Sequence, residues 1–482
     1  MDSTRSIIDF STNLAHPVMT PPDNIPEGAK GWLEALQDKS ALNAHDDPNY
    51  FTHNPISLCA ESRAHAFLVG TGDDLYSHMQ ASIENARLEI VLITCFWANS
   101  SSLDKLAASL KKLSNDVVKN NRPRVRVHIG FSSLSVFQKL FQTSSLSGRT
   151  YAATEWSRRL GLPSEAELPG LEVQAKSIFV RPFSVMHPKF LMVDRKFAWI
   201  PSCNVSWEPW FEGAIAVSGP IVERFVEFWR QFWVRSPQFE ELSILSEPAY
   251  IPVDSIGGPA HSVVQFDELG PIFTMFLPSP HHVNPRFRPL PWQAANPPPP
   301  TPLNVFLLTQ FLSATSSIYM QSPNVTSPPV LSALLKALRR GVNVHIVTSE
   351  RLMILEQLGT AGKTTTQCMK ILIKRYKRLK AEASAADEET GLQHPGQLTI
   401  EYFSAIESDN SNEPVQSHLK MTLIDGEWLV LGSGNMDRAS WYTSQELGLA
   451  FLSQRLCTEV KNVVDDQLTN RKKIAFTSDS LR

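Results

Sequence analysis

The chain has 482 residues, of which 42% are hydrophobic, so it is long enough to bury a sizeable core. Its net charge of −3 predicts no general attraction to nucleic acid or anionic lipid. The five cysteines are scattered and lack CxxC spacing, which predicts neither a disulfide framework nor a zinc site. No apolar run reaches the roughly 18 residues of a membrane-spanning helix, and the N-terminus lacks the order of a secretory signal. We therefore predict an intracellular protein, cytoplasmic or peripheral on a membrane surface, with no transmembrane segment.

The first part of the chain has an α/β pattern. Residues 1–65 are rich in Pro, Asn, Asp and His and are interpreted as an N-terminal extension. Helix and strand patterns then alternate through a predicted first half at 66–250. Its predicted elements are helices at 74–86, 103–118 and 221–234, and strands at 88–95 and 124–129. Five aromatic residues at helical spacing predict that the helix at 221–234 packs into the core.

The same pattern returns later in the chain. A proline-rich segment at 251–302 is predicted to be a linker, because its final run of prolines favours an extended spacer. A second half is predicted at 303–470, followed by a C-terminal tail at 471–482. Its predicted elements are helices at 305–315 and 330–340, and strands at 317–321 and 341–347. This internal repeat indicates two pseudo-symmetric α/β halves with a single active site at their interface.

One set of polar residues occurs twice at nearly the same spacing. Each set begins with His-x-Lys-x4-Asp, has an Asn 17 positions after the His, and continues to a Glu that precedes a small or apolar run. The first set is His187, Lys189, Asp194, Asn204 and Glu212, and the second is His418, Lys420, Asp425, Asn435 and Glu446. Random recurrence of such a pattern is improbable at ordinary composition, so the sets are predicted to act together.

The residues after each Lys predict a strand, a tight turn and a second strand. Side chains two apart in a strand share a face, so the His and Lys of each set are predicted to point into one site. Asp194 and Asp425 fall at the turns, where a carboxylate can bind nearby backbone N–H groups. We interpret these two aspartates as structural.

Two histidines can divide a phosphoryl-transfer reaction between them. A neutral imidazole can attack phosphorus and form a phosphohistidine, while a protonated one donates its proton to the leaving oxygen. An ordinary pKa near 6.5 allows His187 and His418 either state near neutral pH. Glu212 and Glu446 are predicted to hold the imidazoles through Nδ1. The sequence leaves open which Glu serves which His.

The remaining members of the sets suit an anionic phosphate. Lys189, Lys420, Asn204 and Asn435 are predicted to surround its non-bridging oxygens, where negative charge gathers in phosphoryl transfer. No metal and no other cofactor is predicted. Zinc ligation is the rival interpretation of the histidines, but Lys is not a usual zinc ligand and the cysteines lie elsewhere.

These motifs and the α/β duplication resemble the phospholipase D superfamily, over roughly residues 66–465. The resemblance implies two α/β/α halves sharing one active site, with His187 as the nucleophile and His418 as the general acid and base. It also places Ser202 and Ser433 in the motifs as structural residues. The segment from Gly432 to Ser440 is similar to the cardiolipin-synthase-like branch, as is the strand that follows Arg340.

The first half departs from the family's pattern after its first strand pair. Pro201 stands where the family has Gly, and Val205-Ser-Trp-Glu-Pro replaces a continuation of the Asp-Arg-Ala-Ser type. Ser202 and Asn204 are retained. The departure therefore bears more on substrate class than on activity.

A basic segment near residue 375 is predicted to be an amphipathic helix that ends at the acidic, alanine-rich residues 381–390. One interpretation is a solvated surface helix packed by its apolar stripe. The other is a membrane anchor, because clustered Lys and Arg attract acidic lipid head groups. The candidate membrane-binding residues are Lys370, Lys374, Arg375, Lys377, Arg378 and Lys380.

The leading functional hypothesis is a phospholipase D-like phosphodiesterase or phosphatidyltransferase that acts on phospholipid. Its predicted partners are the phospholipid, an alcohol acceptor if the reaction is a transfer, and an anionic membrane surface. One alternative is a nuclease or a phosphodiesterase of nucleic-acid ends, which the overall acidity disfavours. Another is a non-catalytic lipid-binding scaffold, which the two intact sets of residues disfavour. The sequence does not indicate an oligomeric state.

Overall fold

The computed structural model describes residues 22, 24–134, 145–179, 185–235, 263–266, 269–282, 296–390, 394–407 and 412–478. Two similar sets of strands form the centre of the protein. The strands, in chain order, are β1 Cys59–Gly70, β2 Glu89–Phe96, β3 Val125–Ser133, β4 Ser145–Tyr151, β5 Leu171–Phe179, β6 Phe190–Val193, β7 Phe197–Pro201, β8 Trp210–Ser218, β9 Val263–Gln265, β10 Ile272–Ser279, β11 Ser317–Gln321, β12 Asn343–Thr348, β13 Leu398–Phe403, β14 Gln416–Ser417, β15 Met421–Ile424, β16 Trp428–Gly432, β17 Glu446–Leu452 and β18 Lys472–Thr477.

Helices connect and cover these strands. They are α1 Glu27–Gln37, α2 Ser40–Asn43, α3 Gly72–Glu84, α4 Ser101–Lys119, α5 Ala153–Glu155, α6 Ile221–Trp229, α7 Pro302–Ser313, α8 Pro328–Arg339, α9 Ile354–Ala361, α10 Thr365–Thr390, α11 Arg438–Tyr442 and α12 Gln454–Gln467. Side-chain caps fix several helix starts. Thr71, for example, accepts a hydrogen bond from the Asp74 N–H and so satisfies one free donor of α3.

The two sheets repeat one strand order. The first runs β4–β5–β3–β2–β6–β7–β8–β1, and the second runs β18–β13–β12–β11–β15–β16–β17–β10. In each sheet three consecutive strands are parallel, β2, β3 and β5 in one and β11, β12 and β13 in the other. The duplication inferred from the sequence therefore extends to the whole topology of each half.

Strand β1 joins the two sheets. Its first residues pair with β10, with Cys59 opposite Met275, while its later residues pair with β8. The hydroxyl oxygens of Ser62 and Thr274 lie 2.6 Å apart across this seam. The joined sheets fix the relative position of the two halves.

Alternating strand residues contribute to two separate hydrophobic clusters in the first half. In β2, Val91 and Ile93 belong to one cluster and Ile90 and Leu92 to the other, because successive side chains of a strand point to opposite faces. Helices α3 and α4 pack on one face and α6 on the other. The half is therefore a helix–sheet–helix sandwich.

Several predicted boundaries were wrong. Strand β1 begins inside the predicted extension, where small residues such as Ala60, Ser62 and Ala64 alternate with polar ones and give a weak hydrophobic signal. Strands β9 and β10 lie inside the predicted linker. Pro278, one of the prolines of that segment, lies in β10 beyond the residues that β1 pairs, where a missing N–H is tolerated. Strand β18 lies in the predicted tail and pairs with β13. The boundary near residue 250 lies outside the described residues.

Two helices also differ from expectation. The described part of the extension forms α1, which is fixed to the second half by Trp32, whose buried indole N–H donates to the Pro302 carbonyl at 3.0 Å. The basic helix α10 continues through Thr390 instead of ending before its acidic residues, which are themselves acceptable helix formers. No helix of the described segments is long and apolar enough to cross a membrane.

The aromatic helix of the first half packs into the core, as predicted. The five aromatic side chains are all buried: Phe225, Phe228 and Trp229 of α6, and Phe232 and Trp233 of the π-helical turn Arg230–Val234 that continues it. Phe225 meets Phe276 of β10 edge to face, with ring centroids 5.0 Å apart. Burying one such ring stabilises the fold by about 1.5–3 kcal/mol. This contact therefore ties α6 to the strand that begins the second half.

Phe225→Ala should lower the free energy of unfolding by about 3–5 kcal/mol, because it leaves a cavity between α6 and β10. Urea denaturation of the purified protein measures the change. Val118→Ala, at an exposed position, is the control and should change stability by less than about 0.5 kcal/mol. A loss below about 1 kcal/mol for Phe225→Ala would contradict the assignment of this contact to the core.

Candidate active site

Each histidine is paired with the glutamate of the other half. His187 Nδ1 lies 2.8 Å from Glu446 Oε2, and His418 Nδ1 lies 2.7 Å from Glu212 Oε1. A carboxylate can only accept, so Nδ1 of each ring carries the hydrogen and Nε2 is left bare. The question of pairing that the sequence left open is answered by this crossed arrangement, which assembles one site from both halves.

Backbone hydrogen bonds between the halves produce the crossing. The His187 N–H donates to the Gln445 carbonyl and the His418 N–H donates to the Phe211 carbonyl, both at 2.9 Å. Each histidine is thus bonded to the residue immediately before its glutamate partner. Short parallel pairings support the same register, between Met186 and Gln445 and between β14 and the start of β8.

The motif serines hold the two carboxylates. Ser202 Oγ donates to Glu212 and accepts from the Gly213 N–H at 3.0 Å. Ser433 Oγ donates to Glu446 at 2.5 Å and accepts from the Leu447 N–H at 3.0 Å. Burial alone would raise the pKa of both glutamates, but the histidine and serine donors outweigh it and lower the pKa.

Pro201 does not disturb the serine that follows it. Gly432, its counterpart, has φ +156°, and a Cβ there would lie 2.3 Å from the Leu447 carbonyl oxygen. Proline instead ends β7, and the Ser202 N–H still bonds the strand opposite at 2.8 Å, as the Ser433 N–H does at 2.9 Å. The motif therefore keeps its geometry despite the substitution.

Both motif lysines are buried. Lys189 Nζ donates to the His187 carbonyl at 3.2 Å, whereas Lys420 Nζ has no hydrogen-bond partner. Burial lowers the pKa of Lys420 to about 7, assisted by the positive charge of Lys189 and opposed by both glutamates. A buried amine with no acceptor is unfavourable in the empty site, so Lys420 is suited to bind an incoming anion.

The two asparagines have different surroundings. The Asn204 amide oxygen accepts from the Phe96 N–H at 3.2 Å, so its NH2 is the amide group left to donate to a ligand. Asn435 Nδ2 donates to Asp437 Oδ2 at 3.2 Å, and its oxygen is buried without a partner. Asp437 also caps α11, accepting from the Ser440 N–H at 2.8 Å. These contacts leave each asparagine one amide atom for a ligand.

The aspartates lie at the far ends of the hairpin strands from the histidines. Asp194 accepts from the N–H groups of residues 87–89, and Asp425 from those of residues 315–317, at 2.7–3.2 Å. Both have a positive φ, near 52°, and each begins the three-residue turn between the two hairpin strands. They fasten each hairpin to the first parallel strand of its half.

The surroundings of the two histidines differ, and the sequence did not indicate how. Trp210 packs on the His418 ring, with centroids 4.7 Å apart, whereas Ser440 Oγ donates to Glu446, the partner of His187, at 2.7 Å. The His418 side chain is 4% exposed and that of His187 is 12% exposed. Burial lowers the pKa of both rings, that of His418 to about 3. Trp210 and Ser440 were missed because each occurs in only one half.

The basic residues belong to a different element, α10. Its apolar stripe, which includes Leu372, Tyr376 and Leu379, is buried in the core. Lys370, Lys374, Arg375, Lys377 and Arg378 are exposed, and Lys380 is partly buried. Among the residues that the structure describes, no three His, Cys, Asp or Glu side chains are grouped as metal ligands would be.

The histidine environments predict acid sensitivity. In the unfolded chain His418 binds a proton below pH about 6.5, whereas in the folded protein its buried ring binds one only near pH 3. Between these two values the folded protein therefore becomes less stable as the pH is lowered. Each such histidine contributes up to about 1.4 kcal/mol per pH unit. The free energy of unfolding should therefore decrease from pH 6 to pH 5, where the two glutamates, with lowered pKa, remain ionised.

Urea titrations at several pH values measure this dependence. In His418→Asn, whose amide can still donate to Glu212, the free energy of unfolding should depend less steeply on pH, because one proton fewer is taken up on unfolding. Equal slopes for the parent and the variant would contradict a neutral, buried His418.

Comparison with known proteins identifies the second half. Residues 307–467 match the model of a family described as cardiolipin synthase, PLD-like domain. None of the curated proteins compared matches the chain significantly. Solved structures that resemble it include phosphatidylserine synthase of Haemophilus influenzae Rd KW20, with 14% identity over 86% of this chain and 89% of that one and a TM-score of 0.49.

The chain also resembles parts of two further solved structures. Nuc, a phospholipase D family member of Salmonella typhimurium, has 20% identity over 36% of this chain and 89% of its own, with a TM-score of 0.24. Polyphosphate kinase of Porphyromonas gingivalis has 10% identity over 86% and 48%, with a TM-score of 0.43. The matched family domain contains the whole second motif, and the first half repeats its strand order and its His–Lys–Asn–Glu set. Residues 307–467 therefore match the cardiolipin synthase, PLD-like domain family, and the first half is similar to them in strand order and in its polar set.

Proposed function

We propose that the protein cleaves or transfers phospholipid head groups through a covalent phosphohistidine on His187, without a metal. The observation that carries the proposal is the crossed pair of His–Glu contacts, 2.8 and 2.7 Å long, beside two buried lysines. This arrangement offers two bare imidazole nitrogens and two positive groups to one anionic centre.

In the first step, Nε2 of His187 attacks phosphorus and the bond from phosphorus to the leaving alcohol oxygen breaks. His418 gives its proton to that oxygen, so the alcohol leaves neutral. Burial keeps His418 unprotonated in the empty site, and the negative charge of the incoming phosphodiester raises its pKa toward neutrality. Binding of the substrate thus prepares the acid that the reaction needs.

In the second step, His418 accepts a proton from water or from an acceptor alcohol, whose oxygen attacks phosphorus. The bond between phosphorus and His187 breaks, and both rings return to their starting state. Glu446 stabilises the positive charge that His187 carries while it is phosphorylated, because its carboxylate remains bonded to Nδ1. Water gives hydrolysis, and an alcohol gives transfer.

The lysines and asparagines have a separate task. Lys189, Lys420 and the free amide atom of Asn204 are assigned to the non-bridging phosphate oxygens. The unpartnered ammonium of Lys420 supports this role, since a phosphate oxygen would supply the acceptor that it lacks. The assignment of His187 as nucleophile is supported by its greater exposure than His418.

Incubation with a panel of substrates tests the proposal. The purified protein is given short-chain phospholipids with different head groups, with and without an acceptor alcohol, beside single-stranded and duplex nucleic acid. We expect phospholipid products, identified by mass, in equal amounts with and without a chelator. Cleavage of nucleic acid alone would replace the proposal with the nuclease alternative, and zinc- or magnesium-reversible inhibition by the chelator would contradict the metal-free mechanism.

Variants of the two histidines separate their roles. His187→Ala should lower kcat by at least about 1000-fold, because no covalent intermediate can form. His418→Asn should allow attack but slow release, so that acid-labile, base-stable phosphate accumulates on His187. Mass spectrometry of quenched protein detects that adduct. A normal rate for His187→Ala would rule out the assigned nucleophile.

The exposed basic face of α10 is proposed to attract anionic membrane. Replacing Lys374, Arg375, Lys377 and Arg378 with Gln should reduce sedimentation with acidic vesicles, since each basic residue near such a surface contributes about 1 kcal/mol. The reduction should be largest at low salt, where screening is weak. Activity on a short-chain monomeric lipid should be retained. Parental binding at low salt would mean that α10 is only a solvated helix.

A further inference from the structure

Exposed apolar side chains are concentrated near the site. Of the eleven large hydrophobic residues exposed in the described part of the chain, seven lie in segments tied to the catalytic residues. We call these seven the apolar rim. They are Trp207, Met353, Ile354, Leu355, Leu358, Ile406 and Val415.

Helix α9 and the residue before it carry four of the seven rim residues, and the helix exposes leucines while it buries a glutamine. Leu355 is 86% exposed and Leu358 44% exposed, whereas Gln357 between them is 3% exposed. Gln357 anchors the helix from its inner side, donating to the Leu352 carbonyl at 2.6 Å and accepting from the Thr365 N–H at 2.5 Å. A helix that faces water normally turns its leucines inward and its polar residues outward. Helix α9 is therefore held in place by the hydrogen bonds of Gln357, and its leucines remain exposed at the surface.

Both ends of the α9 segment adjoin catalytic segments. At its start, Ser349 Oγ, directly after β12, donates to the Ser417 carbonyl at 2.9 Å, next to His418. At its end, the Thr360 carbonyl accepts from Arg438 Nη1 at 3.1 Å, three residues after Asn435. The leucines of α9 are thus attached to the border of the active site.

The other rim residues adjoin the same site from different segments. Trp207 follows Asn204 by three residues and lies on the loop that ends at Trp210, the residue against His418. Val415 precedes His418 by three residues, and its N–H donates to a carbonyl of that same loop at 2.9 Å.

Ile406 completes the apolar rim. It follows Phe403, whose ring lies 5.8 Å from that of Phe211, the neighbour of Glu212. Ile406 and α9 both come after the carboxyl ends of parallel strands, the edge at which α/β sheets place their ligands. The rim residues therefore lie in separate segments that each adjoin residues of the site.

We propose that the apolar rim docks onto a phospholipid surface and inserts the leucines of α9 among the lipids, an inference that rests on the proposed function. A phosphodiester anchored in a bilayer can reach the histidines only if this edge faces the bilayer. Charge favours the same occupant, because α10, which follows directly, exposes five basic residues suited to anionic head groups. Trp207, 66% exposed, is of the residue type enriched at membrane interfaces.

The test is vesicle binding by the full chain. Leu355→Ser with Leu358→Ser should lower partition into phosphatidylcholine vesicles at least tenfold, because withdrawing two leucines from water contributes more than that when burial is complete. The loss should persist at high salt, which distinguishes it from the salt-sensitive contribution of α10. The ratio of activity on vesicles to activity on monomeric lipid should fall by a similar factor.

Two variants serve as controls. Leu355→Ile with Leu358→Ile keeps the apolar character and should restore binding. Val118→Ser with Ile474→Ser changes two exposed apolar residues outside the rim and should bind like the parent. These controls separate docking from general effects of surface polarity.

Three outcomes would overturn the inference. The serine variant could bind vesicles like the parent, or both serine pairs could lose binding equally. The parent could also form a dimer in solution that the rim variant dissociates, which would assign the rim to a second copy of the chain. Vesicle binding needs no turnover, so a parent that binds through the rim but cleaves no lipid would contradict the proposed function and leave the docking surface intact.

Discussion

The structure depends on an exchange of partners between its halves. Each histidine comes from one half and the carboxylate that orients it from the other. The exchange requires that the halves be held within a fraction of an ångström, since hydrogen bonds weaken steeply with distance and angle. The seam between β1 and β10, the aromatic contact of α6 and the parallel pairings beside each histidine provide that constraint. The packing of the core therefore determines the distances between the histidines and the glutamates of the site.

Burial determines the chemistry available to those atoms. Removing Lys420 and His418 from water disfavours their charged forms, while the crossed contacts keep both glutamates ionised. An empty site of this kind holds unfavourable groups, chiefly the unpartnered lysine. On the proposed function, the phosphate group relieves that cost as it binds, so affinity and activation have the same physical origin.

Much of this arrangement was readable from the sequence because it occurs twice. Repetition identified the ten polar residues of the two sets. Period-2 and helical patterns located the motif hairpins, and those strands and helices that were predicted around them, close to their actual limits. Pairing across the halves was not readable, since it depends on long-range register. Strands β1 and β10 were missed because small residues or prolines hid the hydrophobic signal, and β18 was missed because most of its residues are exposed. Trp210 and Ser440 were not predicted, because a repeat identifies only residues that occur in both halves.

The packing of Trp210 on His418 has a consequence for substrate orientation. The two halves repeat one strand order, but the residues next to the two histidines differ. The indole of Trp210 packs on the His418 ring, whereas His187 is held by Glu446, a carboxylate that also accepts from Ser440. A phosphodiester has two ester arms of different bulk. A symmetric site would accept them in either direction. On the proposed function, this site presents each arm of the phosphodiester with a different neighbour, so the two arms of the substrate are not interchangeable.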